Sequence, residues 1–304
     1  MSTADVYLGR APRLGRLNLK NSGKVRDIYE VDAERLLFVT SDRVSAFDVV
    51  MPQGIPHKGR VLTAIAAYWF ARTQDVLPNH LLSTRPEDVP GLGAKEHELL
   101  RGRSMLVRRA EATSVEWVVR GYLTGSGWKE YQKSSSVCGI ALPKGLQFCQ
   151  QLPRPILTPT TKEEAHDLPL TPAEARARVG AAIFDPAEKA ALALFERGTQ
   201  ELAQLGILLA DTKFEFGLAG GKLLLIDEAL TPDSSRFWPA KEYRVGENPP
   251  SYDKQVLRDY LETLDWNKRP PGPELPRALV DKVSERYLQI CAKITGLSLA
   301  QVAT

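Results

Sequence analysis

Residues 206–238 read GILLADTKFEFGLAGGKLLLIDEALTPDSSRFW. Two apolar runs, 207–216 and 223–229, flank a glycine-rich turn at 219–222, which is the pattern of a β-hairpin. Side chains alternate faces along a strand, so Asp211, Lys213 and Glu215 share one face while Thr212, Phe214 and Phe216 share the other. One face is charged and the other apolar. The returning run ends at Asp227 and Glu228, which brings a carboxylate toward Glu215 across the pair, although the sequence alone does not set the register. Two carboxylates about 4 Å apart repel by roughly 4 kcal/mol at an effective dielectric near 20 unless a cation or proton lies between them. Mg²⁺ suits such a pair, because it takes one or two protein carboxylates and completes its shell with water and phosphate oxygens. The polar loop 231–236 follows at once and ends in Arg236, so the whole segment reads as a metal and phosphate site. An ordinary hairpin with a solvated charged face is the alternative.

The 304 residues suffice for two domains or one large one, and 43% hydrophobic with 25% charged residues is ordinary for a globular protein. A net charge of +3 is mild. No long Lys/Arg block and no interleaved basic and aromatic face occurs, so small anionic substrates are expected and a nucleic-acid partner is not. Cys138, Cys149 and Cys291 are odd in number and lack a CxxC spacing, which argues against a disulfide framework or zinc cage and for a reducing, cytoplasmic setting. The first residues lack a basic-then-apolar leader, and no run approaches the roughly 18 apolar residues of a membrane span, so no membrane partner is expected.

Upstream of the hairpin, residues 21–31 form a glycine-containing approach to a strand, with 32–35 as turn and 36–40 as the returning strand. The exposed N–H groups of such a loop, with Lys24 and Arg26 beside them, suit a hairpin lying over a nucleotide's phosphates. It is neither a P-loop nor a dinucleotide or kinase loop, since GxxxxGK[ST] and GxGxxG are both absent; a plain structural turn is the alternative. Residues 40–48 and 51–60 are dense in polar side chains and read as a ligand-binding loop, or as one that caps its own helix through Ser41 or Asp42. An amphipathic helix is expected at 62–73, and His57 and His80 read as structural or surface histidines.

Residues 104–110 and 115–124 read as a strand pair. The second carries Arg120 out of an apolar run toward Gly125-Ser126-Gly127, which opens a helix, so a forked cation, a hydroxyl and free helix N–H groups converge as an anion site. The segment 153–162 is proline-rich and reads as an irregular loop or linker carrying Thr160, Thr161 and Lys162, followed at 163–167 by His166 and three carboxylates. Helices are expected at 185–205, 256–264 and 277–295, the last presenting Leu279, Val280, Val283, Tyr287, Ile290 and Ile294 inward.

Seven blocks in order, GKVRDIY, SDRVSAFD, VVRGYLTGSGWKEY, TPTTKEEAHD, DTKFEFG, IDEALTPDSSRFWP and SYDKQ, closely resemble the phosphoribosylaminoimidazole-succinocarboxamide synthase (SAICAR synthetase) family, in a length similar to the fungal-type single-function form. The resemblance implies an α+β fold, with a kinase-like and ATP-grasp-like nucleotide cleft between an N-terminal antiparallel-sheet part, 1–112, and a larger α+β part, 113–304. It implies ATP-dependent ligation of L-aspartate to carboxyaminoimidazole ribonucleotide (CAIR) in purine biosynthesis, with ATP and Mg²⁺ and with a monomer favoured. Gly23, Lys24, Val25 and Arg26 would lie over ATP, joined by Lys213, and Glu215 and Asp227 would hold the metal. Arg120, Ser126 and Arg236 would bind the ribonucleotide phosphate. Lys162 and Asp211 would line the site, with Asp211, Lys213 and Asp233 closest to the chemistry. Ser41, Asp42, Arg43, Ser45 and Asp48, with Asp233, would face the imidazole or the incoming aspartate. A small-molecule kinase using the same ATP and metal cleft is the rival enzyme, and a nucleotide-binding protein without turnover is the rival outside catalysis.

Overall fold

A computed structural model describes residues 6–162 and 168–303, so the expected cluster at 163–167 lies outside the described residues. The chain opens with three antiparallel strands, β1 (Asn18–Ser22), β2 (Arg26–Glu30) and β3 (Arg35–Thr40), paired in sequence. Parity along β2 turns Asp27 and Tyr29 inward and leaves Arg26 on the opposite, half-buried face. The segment expected as a ligand loop is instead a hairpin, β4 (Arg43–Ala46) and β5 (Val49–Gly54). Its turn holds Phe47 and Asp48 at φ 51° and 64°, a conformation that glycine or asparagine usually supplies, so residue type did not reveal it. Helix α1 (Lys58–Arg72) starts earlier than its apolar pattern suggests, because the Asp42 carboxylate accepts the Gly59 N–H at 2.7 Å and caps it from outside the helix. Strands β6 (Leu81–Ser83) and β7 (Ser104–Arg108), with α2 (Ala94–Leu100) between them, complete a five-stranded sheet in the order β1-β2-β3-β7-β6.

The chain then crosses to a second sheet through β8 (Glu111–Ala112) and β9 (Val115–Tyr122). The expected pairing of 104–110 with 115–124 does not form: β7 bonds β3 and β6, and β9 bonds strands of the other sheet. Glu111 and Ala112 are drawn across by pairing with Leu218 and Gly217, which aims β9 away from β7. After α3 (Gly125–Ser134) and the short hairpin β10 (Ser136–Val137) and β11 (Ile140–Ala141) come β12 (Gln151–Leu157) and β13 (Thr160–Thr161). The proline-rich segment is therefore strand rather than irregular loop. It lies at a sheet edge, and Pro153 and Pro155 fall in the register shift between Gln151 and Ile156, where a missing N–H costs no ladder bond.

Helices α4 (Pro172–Val179) and α5 (Ala181–Gln204) lead into the long strand β14 (Ile207–Ala219), whose Gly220-Gly221 turn returns as β15 (Lys222–Ile226), followed by β16 (Ser235–Pro239). One edge of β14 carries β9 and β8; the other carries β16 along 207–212 and β15 along 215–219, with the loop 227–234 between them. Thr212, Phe214 and Phe216 are buried, as alternation requires, and Trp117 packs between Phe184 and Phe216 beneath the sheet. The α5 stripe Ala187, Ala191, Leu194, Phe195 and Leu202 covers the same face. After α6 (Gln255–Glu262), α7 (Arg277–Thr295) spans the expected residues and packs on α1, followed by α8 (Leu299–Ala303). Val280, Val283, Tyr287, Ile290 and Ile294 are its buried face, and Leu279, at the edge of that stripe, is only half-buried; burying such side chains contributes about 1.5–3 kcal/mol each.

Candidate active site

With Phe214 and Phe216 turned into the core, Lys213 and Glu215 project from the other face of β14. β15 ends at Ile226, the register partner of Glu215, because Asp227 takes a left-handed backbone with φ 64°. That kink turns Asp227 and Glu228 toward Arg26 of β2, whose guanidinium binds Asp227 Oδ1 with one nitrogen and Glu228 Oε2 at 3.0 Å with the other. Lys162 pairs with Glu215 Oε2. Lys213 Nζ lies 3.7 Å from Glu215 Oε1 and donates to Glu116 Oε1. Burial pushes the Asp227 carboxyl up, but Arg26, Lys162 and Lys213 outweigh it and hold the group below the usual carboxylate range. Glu228 goes the other way, since burial raises it and Arg26 offsets only part. Burial likewise opposes the Lys213 charge, and Glu215 and Glu116 overcome it to hold the ammonium above its ordinary value.

Among the described residues no group of three or more His, Cys, Asp or Glu converges on a metal position. Glu215 and Asp227 offer the two carboxylates that Mg²⁺ accepts when water and phosphate oxygens fill the rest of its shell. Each already carries a basic side chain where a cation would sit, Lys162 on one and Arg26 on the other, so the donor set fits a hard divalent ion.

Toward the other end of β14 a second cluster is built across three strands. Asp211 is the register partner of Arg120 on β9 and of Arg236 on β16, so the three side chains form one cross-strand row. Asp211 Oδ2 accepts from Arg120 Nη1 at 3.2 Å and from Arg236 Nη1. Arg120 also donates to Thr158 Oγ1 and to Ser126 Oγ, each at 3.0 Å, and Ser126 lies in the first turn of α3. Gly125 has φ 58°, and a Cβ there would sit 2.6 Å from the Arg236 guanidinium, so the close approach of arginine to helix end requires glycine. A cavity of about 530 Å³ opens beside this row, lined by Phe47, Ser126, Trp128, Lys129 and Arg236. The Arg236 guanidinium, the Ser126 hydroxyl and the N-terminus of α3 thus face one space, with Arg120 buried behind Ser126, an arrangement that suits an anion.

The remaining expected residues divide. Lys24 pairs with Asp48 across the hairpin tip, both about half exposed, and Ser45 is half-buried on the same hairpin. Ser41, Asp42 and Arg43 are interior. Ser41 Oγ donates to the Val25 carbonyl; Asp42 accepts from the Tyr7 and Gly59 N–H groups and from Arg103; Arg43 binds Asp27 and the carbonyls of Gly23 and Lys24. Their partners are protein groups: Ser41 and Arg43 hold the loop 23–26, and Asp42 ties residue 7 to the start of α1. Asp233 is likewise engaged by protein, by Lys58 and Lys254 at 2.8 Å each and by the Tyr287 hydroxyl at 2.7 Å. Burial pushes Asp233 up, but the two lysines pull it far below the usual range, while burial brings Lys58 down to about 8. Sequence reading missed Lys58, taken as loop, and Glu116, whose signal was a lone acid in the apolar run VEWVV.

A loop over paired carboxylates and a two-arginine cradle, joined by one strand, belong to an enzyme that holds a nucleotide and a second phosphorylated substrate together, an ATP-dependent ligase. The family model for SAICAR synthetase matches residues 19–273. The phosphoribosylaminoimidazole-succinocarboxamide synthase of Syntrophotalea carbinolica is 56% identical over 92% of this chain and 95% of its own length, and that of Azoarcus sp. is 52% identical over 95% and 96%. The structure of SAICAR-synthase from Saccharomyces cerevisiae complexed with SAICAR superposes with a TM-score of 0.86 at 40% identity, covering 96% of this chain and 99% of that one. The chain belongs to the SAICAR synthetase family. Its α+β fold is the family's, and its length, read as fungal-type, is shared by all three of these proteins.

Proposed function

We propose that the chain joins L-aspartate to the carboxylate of CAIR at the expense of ATP, giving SAICAR, ADP and phosphate, and that β14 organises the reaction. The observation that carries this reading is the pair of unlike clusters on one strand. Asp211 and Glu215 are four residues apart, about 13 Å at strand rise, with Lys213 midway. A ribonucleotide whose phosphate sits on Arg120, Ser126 and Arg236 can extend its carboxylate toward Lys213, while the loop 23–26, part of the region 1–112, covers ATP from the other side.

A carboxylate oxygen is a poor leaving group, so the amide needs prior activation. The CAIR carboxylate oxygen attacks the γ-phosphorus, the bond to ADP breaks, and an acyl phosphate forms. The unprotonated aspartate amine then attacks the acyl carbon, the C–O bond breaks, and phosphate leaves with that oxygen and takes the proton that the nitrogen releases. Mg²⁺ held by Glu215 and Asp227 would supply charge neutralisation to the phosphate oxygens. Lys213, held between Glu116 and Glu215, would set a positive charge beside the transferring group, and Arg26 fixes Asp227 and Glu228 from the nucleotide-covering sheet. We read Asp233 as the anchor of the loop 227–234, and Asp48 and Ser45 as the part of the hairpin nearest the substrates. No helix among the described residues is long and apolar enough to cross a membrane. We assign the activity to the cytoplasm.

Incubation with ATP, Mg²⁺, aspartate and CAIR is expected to give the succinocarboxamide, identified by its mass. ADP formation with aspartate left unincorporated would overturn the ligase reading in favour of a kinase.

A further inference from the structure

We propose that Glu116 is a positioning residue that keeps the Lys213 ammonium off Glu215 and so leaves that carboxylate available to a divalent cation. The proposal rests on the reading of Glu215 and Asp227 as the metal-binding carboxylates.

Glu116 is an anomaly in its strand. β9 buries Val115, Trp117 and Val119, yet Glu116 itself is only 6% exposed. Burying a carboxylate is costly unless it is paired, and acidic residues are poorly suited to strands, so its side chain needs a reason. Its contacts supply one. Thr160 is its register partner on β13, and Thr160 Oγ1 donates to Glu116 Oε2 at 3.4 Å; the other oxygen takes Lys213 Nζ.

Lys213 stands between two acids, bonded to Glu116 and 3.7 Å from Glu215 Oε1. The second Glu215 oxygen already meets Lys162, a half-exposed side chain with freedom to swing away. At 3.7 Å this is a long ion pair; if Lys213 closed to hydrogen-bond distance, both Glu215 oxygens would be held by bonded ammonium groups and a metal would have to displace two cations. Glu116 prevents this by giving Lys213 a nearer anionic partner behind the site. Replacing Glu116 by glutamine removes that charge while keeping shape, and Lys213 then closes the gap to Glu215.

The test is Mn²⁺ alone, titrated into the whole chain and followed by electron paramagnetic resonance, with thermal melting to confirm folding. Wild type should bind Mn²⁺ and Glu215→Gln should not; failure of this first comparison would overturn the metal reading itself. Given that baseline, Glu116→Gln should weaken Mn²⁺ binding about tenfold, the scale on which the partners of metal ligands act, while Glu116→Asp, which keeps the charge, stays within about threefold. The deciding variant pairs Glu116→Gln with Lys213→Met. With the ammonium gone, loss of Glu116 should have no further effect on Mn²⁺. Unchanged Mn²⁺ affinity in Glu116→Gln, or a tenfold loss that persists in the Lys213→Met background, would overturn the proposal, the second outcome making Glu116 a ligand instead. Lys213→Met alone should bind Mn²⁺ at least as tightly as wild type, and weaker binding would contradict the proposal even if Glu116→Gln does not fold.

Discussion

The two ends of β14 are built from the same residue types and have opposite needs. At the Glu215 end, four acids (Glu116, Glu215, Asp227, Glu228) meet three cations (Arg26, Lys162, Lys213) among the described residues, one more carboxylate than cations. At the Asp211 end, two arginines (Arg120, Arg236) share one carboxylate, one positive charge in surplus. The first end asks for a cation and the second for an anion. A strand that offers both within about 13 Å suits a reaction that brings metal-bound ATP to a phosphorylated substrate.

Asp227→Asn should break the first end outright. It leaves the shape and removes the charge that pairs with Arg26, and turnover should fall by about three orders of magnitude, since several kcal/mol of charge stabilisation are lost and each 1.36 kcal/mol is tenfold. Steady-state rates over a Mg²⁺ series check this; full activity at ordinary Mg²⁺ would remove Asp227 from the metal site. Arg236→Ala should act on the other end alone. Loss of a charge-assisted contact should raise KM for the ribonucleotide roughly 30-fold with kcat within about threefold.

The loop between the two ends should show itself in stability rather than in binding. Asp233→Ala strands two buried lysines and should cost about 3–5 kcal/mol, read as a shift in the urea midpoint. A further effect concerns pH. Burial lowers Lys58 to about 8 from 10.5, so its charge costs stability in full below pH 8, and the cost is relieved as pH rises toward 10.5. In that window the unfolded chain binds more protons, and wild type should gain on Lys58→Met by up to about 1.4 kcal/mol per pH unit. Parallel urea titrations at pH 8 and pH 10 measure it, and a constant gap would contradict the assignment.

What the sequence made legible was whatever rests on alternation. The inward Phe214 and Phe216, the outward Lys213 and Glu215, and the Arg120 to Ser126 approach all follow from strand parity and a glycine-rich helix start. What stayed hidden rests on long-range contacts or on backbone that residue type does not announce. The start of α1 depends on Asp42, a cap from outside the helix, and the turn at Phe47 and Asp48 and the kink at Asp227 place non-glycine residues at positive φ. Ser41, Asp42 and Arg43 looked like ligand residues because they are polar and lie beside a strand end, yet their partners include backbone groups and side chains of residues 7, 9, 23–25, 27, 59 and 103. Polarity in a short segment does not distinguish a residue that holds a loop from one that holds a substrate. The ordered blocks did more than any single motif, since they joined two ends that spacing alone left as separate anion and cation sites.

The central claim, that a carboxylate anchored from the Asp211 end is phosphorylated at the Glu215 end, is tested most directly by an oxygen label. CAIR carrying ¹⁸O at both carboxylate oxygens is turned over with ATP and aspartate, and the released phosphate is weighed by mass spectrometry. Direct transfer predicts one ¹⁸O in each phosphate; phosphate free of label would contradict it.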